Sequence, residues 1–280
     1  MKTWKKVLLI VSGIALAIGI SCVIIGFALG FNPRDITTGR ANRHMLYEWD
    51  WDDWDNWDGW WNNRGSDRNA SDSREAAFTD IYNLDIDVKY SSVVLKVYEG
   101  SEIRVSAKRL NASKYTAKSA DNTLYIMDET HHTAKGSEIT ILIPRDTHFD
   151  EVSMDVGGGE VKIDTLNSNE FSAEIGGGRL LVTESLNALE VDCSVGAGQI
   201  ALSNLTCTEL ELDCGAGQVT AVIEGSQSDY RMEGDCGIGQ IQFGTDHFST
   251  MGKEFTAGTG SKLIHADCGV GQIDVQFKQQ

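Results

Sequence analysis

The chain has 280 residues, 41% of them apolar, which is enough to bury a sizeable core in one or two domains. It carries 24 Lys and Arg against 41 Asp and Glu, and the formal charge of −17 argues against nucleic-acid binding because phosphates would be repelled. Cationic partners or metal ions fit this charge better.

The N-terminal segment predicts a membrane anchor. Val7 to Phe31 is 25 residues without a charge, long enough to span a bilayer core of about 30 Å. Lys2, Lys5 and Lys6 precede it and an acidic run follows, so we expect a cytoplasmic N-terminus and an extracellular remainder. A cleavable signal peptide and a lipoprotein signal ending at Cys22 are the alternatives.

Residues 32–76 are predicted to form a flexible acidic stalk, since they show no helical or strand periodicity. The stretch EWDWDDWDNWDGWW lies within it. Its indoles are candidate contact residues for the membrane interface or for cell-wall sugars, and a disordered segment without a ligand is the alternative. These tryptophans are Trp49, Trp51, Trp54, Trp57, Trp60 and Trp61.

Residues 77–150 alternate apolar and polar side chains between turns and predict short strands that open or cap a larger β structure. From 151 to 280 the chain repeats a Gly-x-Gly unit whose first glycine falls at 157, 176, 196, 215, 237 and 269. A period near 20 residues predicts one coil of a β-solenoid per repeat. The fold class is therefore all-β, a β-solenoid after one N-terminal transmembrane helix.

The alternation of side chains assigns a direction to each column of the solenoid. Positions one, three and five before the triplet are apolar and should face the core, as Val152, Met154 and Val156 do in the first repeat. After the triplet the apolar positions change parity, which requires a bend at each Gly-x-Gly. The glutamines that follow most triplets are expected to stack as a ladder.

The positions two and four before each triplet should face outward, and most of them are acidic. With successive repeats stacked in register, four carboxylates would form a rectangle that could share a cation such as Ca²⁺. These are Glu211, Asp213, Glu233 and Asp235. A solvated acidic face without a cation is the alternative, and no other cofactor is predicted.

The cysteines are predicted to be small buried residues of the core. Cys214, Cys236 and Cys268 share one inward column, so a disulfide between stacked neighbours is the alternative to free thiols. Cys193 also faces the core, Cys207 lies between coils and is expected to be unpaired, and no pair has the spacing of a zinc site.

The last repeat runs to Phe277 and would leave an uncovered strand edge, for which the insert GTDHFSTMGKEFTAGTGSK is the candidate cap. Without a cap, that end would pair with another chain.

The order IYNLDIDV, SEITILIPRDTHFDEVSMDVGGGEVKI and then repeated Gly-x-Gly coils resembles the bacterial putative-adhesin family, a domain of unknown function built as an envelope β-solenoid. The resemblance covers about residues 78–277 and implies a role in cell-envelope stress systems of Gram-positive bacteria. It supplies no catalytic residues, and the tryptophan run is not part of the family pattern.

Three functions compete. A membrane-anchored, non-catalytic module that binds a cell-wall polymer or envelope protein fits the anchor, the stalk and the acidic face. A structural solenoid that self-associates end to end is the second. A polysaccharide-active enzyme is the third, and it would need a basic residue among the carboxylates, where the coils offer only His265 and Arg179.

Overall fold

The structure of the protein is a computed structural model that describes residues 74–111, 113–129, 137–248 and 253–278. Fourteen strands within these ranges form one sheet that coils upon itself, and the all-β solenoid predicted from the glycine period is confirmed. The strands are β1 (Arg74–Phe78), β2 (Asn83–Val88), β3 (Ser91–Tyr98), β4 (Ile103–Lys108), β5 (Tyr115–Ala120), β6 (Thr123–Asp128), β7 (Ser137–Pro144), β8 (Phe149–Asn187), β9 (Glu190–Thr206), β10 (Glu209–Glu224), β11 (Tyr230–Phe243), β12 (Asp246–Phe248), β13 (Lys253–Gly258) and β14 (Lys262–Lys278). A short 3₁₀ helix, Gln227–Asp229, precedes β11.

The centre of the stack is built by β8, β9 and β10, which follow one another in sequence and in space. β8 is long enough for two coils, and β9 and β10 add one each in parallel register. Apolar residues before and after each glycine triplet are buried, as Ile175 and Leu180 are in the second coil. The glycine triplets therefore lie one above another, as the repeat predicts.

The third glycine of each triplet lies where neighbouring backbones approach most closely. Gly178 has φ +143°, and a Cβ at this position would overlap the carbonyl oxygen of Gly159 in the preceding coil. The middle position has room, since a Cβ on Gly177 would meet no atom nearer than the Ala197 carbonyl oxygen, at 3.7 Å. A bend and a close backbone contact together explain why glycine is required at the third position.

The C-terminal end of the stack departs from sequence order. β14 lies between β10 and β11 and pairs with both in parallel, so the last strand of the chain is an inner coil. The prediction of an uncovered edge at the last repeat is therefore wrong. The insert does act as a cap, but it covers β11, because β12 and β13 pair antiparallel with that strand.

At the N-terminal end, too, the spatial order of the coils differs from their order in the sequence, but here the inner coil comes first in the chain. β2 and β3 pair with β8, and β6 and β7 lie outside them as the outermost parallel coil. β5 and β4 pair antiparallel with β6 and β7, and β1 pairs with β4. The strands of residues 77–150 lie at one end of the solenoid, and the first strand of the sheet begins at Arg74, within the predicted stalk.

The core changes its filling along the stack. Aliphatic side chains such as Leu186 and Leu205 fill most of the centre, and several aromatic rings cluster at the C-terminal end. Tyr230 is fully buried, its ring lies 5.5 Å from that of Phe277, and its hydroxyl donates to the carbonyl oxygen of Cys207 at 2.8 Å. This bond satisfies a hydroxyl that would otherwise be costly to bury.

Candidate functional site

The candidate site is the outer surface of the strand segments that precede the glycine corners. Because side chains alternate along a strand, every residue two or four positions before a corner points outward. Ten carboxylates occupy these two columns, and we call this surface the acidic face. They are Asp85, Asp87, Asp155, Glu174, Asp192, Glu211, Asp213, Asp267, Glu233 and Asp235, in order along the stack.

Four acidic residues lie in direct register at the C-terminal end of this face. Asp213 pairs with Asp267, Asp267 with Asp235, and Asp235 with Glu254 of the capping strand. Neighbouring strands lie about 4.8 Å apart, so the four side chains form a line of like charges, which is unfavourable. We call these four residues the carboxylate row.

The predicted rectangle of Glu211, Asp213, Glu233 and Asp235 is wrong, because β14 separates the two pairs. His265 of β14 lies between Glu211 and Glu233, and Asp267 lies between the two aspartates. Among the residues that the structure describes, no group of three or more His, Cys, Asp and Glu side chains is arranged to hold a metal ion.

Asp267 is the best-bonded member of the carboxylate row. Its Oδ1 accepts a hydrogen bond from the backbone N–H of Asp235 at 2.9 Å, and its Oδ2 lies 3.3 Å from His265 Nε2. Beside it, Arg231 Nε lies 2.9 Å from Glu233 Oε1. The basic groups of this region therefore engage Asp267 and Glu233.

The remaining repulsion contributes to raised pKa values of two carboxyl groups on the acidic face. Partial burial raises the pKa of Glu211, and the carboxylates of Asp192, Asp213 and Asp267 raise it further, while His265 opposes the shift. Partial burial also raises the pKa of Asp213, with Asp267 and Asp192 adding to it. A cation placed at this surface would relieve the repulsion.

A comparison with known protein families agrees with this architecture. The model of the Toastrack DUF4097 family matches residues 81–279. The chain belongs to the Toastrack family. Sequence reasoning reached the same family through the order of its strand and glycine motifs, and that prediction is confirmed.

Several solved structures are similar to this Toastrack chain. A putative cell adhesion protein from Clostridium sporogenes is 13% identical and has a TM-score of 0.43, with 74% of this chain and 100% of that chain covered. A putative adhesin from Bacteroides fragilis is 15% identical with a TM-score of 0.39, over 73% and 96% of the two chains. A putative lipid binding protein from Parabacteroides distasonis is 12% identical with a TM-score of 0.35, over 74% and 97%. No curated protein matches the chain.

Directly beyond the glycine corner, four of the Toastrack coils carry an uncharged glutamine. Gln199, Gln218, Gln272 and Gln240 occupy one column in register, in that spatial order. The predicted glutamine column is confirmed, with β14 again inserted before β11. This column contrasts with the acidic face on the other side of the corner.

The thiols of the Toastrack coils are buried. Cys193, Cys207, Cys214, Cys236 and Cys268 are free cysteines, as the simplest sequence interpretation predicts. Burial is the main cause that raises the pKa of all five thiols, to about 12 for Cys207 and Cys268. Such thiols are poor nucleophiles and poor metal ligands at neutral pH.

Two other predicted features fall outside the described residues. The helix predicted from Val7 to Phe31 and the six tryptophans, Trp49 to Trp61, precede residue 74. Within the described ranges, the structure contains no helix of sufficient length and apolarity to cross a membrane.

Sequence reasoning missed Glu254, and it did not place Asp267 and His265 between β10 and β11. The 32-residue spacing before the last triplet indicates an insertion, but it does not say that the insertion pairs antiparallel or that the next coil returns inward. Arg179 follows the glycine corner of the second coil, so it lies off the acidic face.

Proposed function

We propose that this Toastrack protein is a non-catalytic binding module of the cell envelope, held at the membrane by the segment Val7 to Phe31, and that its acidic face binds a cationic partner. The carboxylate row carries this proposal, since Asp213, Asp267, Asp235 and Glu254 stand in register with few basic neighbours.

The folded chain leaves electrostatic repulsion between carboxylates in place on the acidic face. Like charges held about 4.8 Å apart destabilise the sheet that carries them. A partner with several ammonium or guanidinium groups would remove that repulsion on binding. The raised pKa values of Glu211 and Asp213 support this view, because nearby carboxylates contribute to both shifts.

The partner class follows from the charge and from the predicted location. A basic segment of an envelope protein, or a cell-wall polymer that carries amines, fits a surface of this kind, whereas nucleic acid does not. We infer an extracellular position for the solenoid from the charge asymmetry around residues 7–31. Adding protease to intact cells tests this placement, since an extracellular solenoid would be accessible.

The non-catalytic assignment follows from the surroundings of His265. Its neighbours in register are Glu211 and Glu233, and its own strand offers Asp267 at 3.3 Å. These groups supply no activated nucleophile, and the basic residue next to them, Arg231, already contacts Glu233. We propose no end-to-end stacking, because antiparallel strands cover the outermost coil at each end.

The binding proposal is tested with the full-length protein in detergent and a labelled peptide of alternating lysine and glycine. We expect saturable binding at low ionic strength that weakens as salt is added, since exposed charges are screened. The variant Asp213→Asn, Asp267→Asn, Asp235→Asn should bind about tenfold more weakly.

A matched control removes the same formal charge elsewhere. Asp146→Asn, Asp164→Asn and Glu184→Gln lie in the turn after β7 or beyond the glycine corner, away from the acidic face. This variant should change the affinity less than about twofold. Equal losses in the two variants would show that net charge, and not the acidic face, sets the affinity, and the proposal would fail.

A further inference from the structure

The inward column next to the glycine corner ends in three adjacent thiols. Along the centre of the stack this column holds Val156, Ile175 and Val195. It then continues with Cys214 on β10, Cys268 on β14 and Cys236 on β11, each at most 3% exposed. The insertion of β14 makes Cys268 the middle thiol of the three, whereas sequence order would place Cys236 next to Cys214.

The register fixes which thiols can react with each other. Cys268 is directly opposite Cys214 on one side and Cys236 on the other, within side-chain hydrogen-bonding reach of both. In-register Cα atoms about 4.8 Å apart lie within the range that a disulfide requires. Cys214 and Cys236 are two strand spacings apart, about 9.6 Å, which is beyond that range.

We propose that Cys214, Cys268 and Cys236 form a disulfide site with one shared member, in which Cys268 bonds to either Cys214 or Cys236 and the third cysteine stays a thiol. The two states differ in the strand to which β14 is tied, because the bond joins it to β10 in one and to β11 in the other. The site is distinct from the acidic face and does not depend on the cationic partner.

The oxidant is a small-molecule disulfide. One cysteine thiolate attacks it, forms a mixed disulfide and releases one small thiol; a neighbouring cysteine then attacks the protein sulfur and releases the second small thiol. The two cysteines lose two electrons and two protons, and the two released thiols gain them. Attack of the third cysteine on the Cys268 sulfur moves the bond from one partner to the other without net oxidation.

A small oxidant would reach the three thiols from the glycine corner. Gly215 and Gly269, which directly follow Cys214 and Cys268, are exposed and have no side chain to cover the sulfur atoms. Because burial raises the pKa of all three thiols, the thiolate is scarce and oxidation will be slow at neutral pH. Incubation at mildly alkaline pH shortens the experiment.

The test uses the full-length protein in detergent with oxidised glutathione at mildly alkaline pH, followed by alkylation under denaturing conditions and peptide mapping without reduction. We expect two linkages, Cys214–Cys268 and Cys236–Cys268, which together amount to no more than one bond per molecule. Oxidation should also raise the unfolding midpoint, by about 5–10 °C, since each bond ties down the last strand of the chain.

Variants sharpen the assignment. Cys214→Ala should leave only the bond to Cys236, Cys236→Ala only the bond to Cys214, and Cys268→Ala neither. Cys193→Ala is the matched control, since it removes a buried thiol whose neighbours in register are Ala173 and Leu212, and it should leave both linkages unchanged.

Mapping of the unmutated protein decides the question even where a variant fails to fold. Recovery of Cys268 entirely as the alkylated thiol after oxidation would overturn the proposal. A Cys214–Cys236 bond in the folded protein would overturn it as well, because it would contradict the strand order that places Cys268 between them.

Discussion

The centre and the two ends of the stack cover their strand edges in different ways. In the centre, β8, β9 and β10 follow one another in sequence and in space, and each coil covers the edge of the one before. At the ends no further coil is available, and an open parallel edge invites pairing with another chain. The chain closes both ends with antiparallel strands, which requires it to reach the outermost coil and return.

At both ends the chain passes between an inner and an outer coil, from inner to outer at the N-terminal end and from outer to inner at the C-terminal end. At the N-terminal end the inner coil, β2 and β3, comes first, and β4 and β5 connect it to the outer coil. At the C-terminal end the outer coil, β11, comes first, and β12 and β13 connect it to the inner coil, β14. In each case the strands that cap the outer coil come from the segment that joins it to the inner one.

We expect the largest effect from removing the last strand, β14. Removing residues 262–280 from an ordinary solenoid would delete a terminal coil, but here it deletes a coil with neighbours on both sides. Ile264, Ile273 and Val275 would leave the core, and β10 and β11 would lose their shared partner. We expect the cooperative unfolding of the C-terminal half to be lost and the protein to aggregate.

Far-ultraviolet circular dichroism and limited proteolysis measure this loss. The control ends the chain after Lys278, the last residue of β14, and should unfold as the full-length protein does. An unchanged unfolding midpoint after removal of β14 would mean that this strand is peripheral, and the end-return topology would be refuted.

The centre makes its own prediction at the glycine corner. Gly178→Ala would place a Cβ against the Gly159 carbonyl oxygen at φ +143°, so we expect it to lower the free energy of unfolding by more than about 3 kcal/mol. Gly177→Ala should be nearly neutral, because the next coil already carries Ala197 at this position. Urea unfolding of the two variants measures the difference, and equal costs would contradict the close approach of the coils at the third glycine.

The N-terminal end replaces the glycine corner with polar contacts. In the coil formed by β2 and β3, Ser91 stands where the next coil has Gly159, and its hydroxyl donates to the buried Asp128 carboxylate at 2.6 Å. Ser91→Ala would remove this donor from a buried carboxylate and should cost about 2 kcal/mol.

Ser92→Ala, one position along the same strand and partly exposed, is the matched control for Ser91→Ala and should cost less than about 0.5 kcal/mol. Thermal unfolding of the two variants provides the test. If Ser91→Ala is as mild as Ser92→Ala, the buried hydrogen bond does not hold this end together.

The difference between the regular centre and the two ends also explains which features could be predicted from the sequence. The centre repeats every 19 or 20 residues with a fixed alternation, so coil length, inward columns and the glycine corner follow from residues such as Val156 and Gly178. At the C-terminal end the spacing grows to 22 and 32 residues, and at both ends parallel or antiparallel pairing leaves no trace in side-chain alternation. The position of β14, and with it the neighbours of Asp267, His265 and Cys268, could not be derived from the repeat.

The smallest predicted effect concerns the acidic face, where the displaced strand brings carboxylates together. The folded-state pKa of Asp213 is raised above its ordinary value of 3.8, so the folded protein holds this proton more tightly than the unfolded chain does. Its ionisation therefore opposes folding at neutral pH, and that cost disappears as the pH falls through the folded-state pKa. Asp213→Asn should raise stability at pH 7, by less than about 0.5 kcal/mol because the surface is partly solvated.

Unfolding midpoints measured from neutral pH down to about pH 4 test this sign, since the advantage of Asp213→Asn should shrink as the wild-type carboxyl protonates. Asp164→Asn, which removes one carboxylate beyond the glycine corner, is the control and should give no such trend. Added salt should reduce the advantage of Asp213→Asn as well, because screening weakens the repulsion from Asp267 and Asp192. If Asp213→Asn were less stable than the wild type at pH 7, this carboxylate would stabilise the fold. That result would contradict the proposal that repulsion on the acidic face favours binding of a cationic partner.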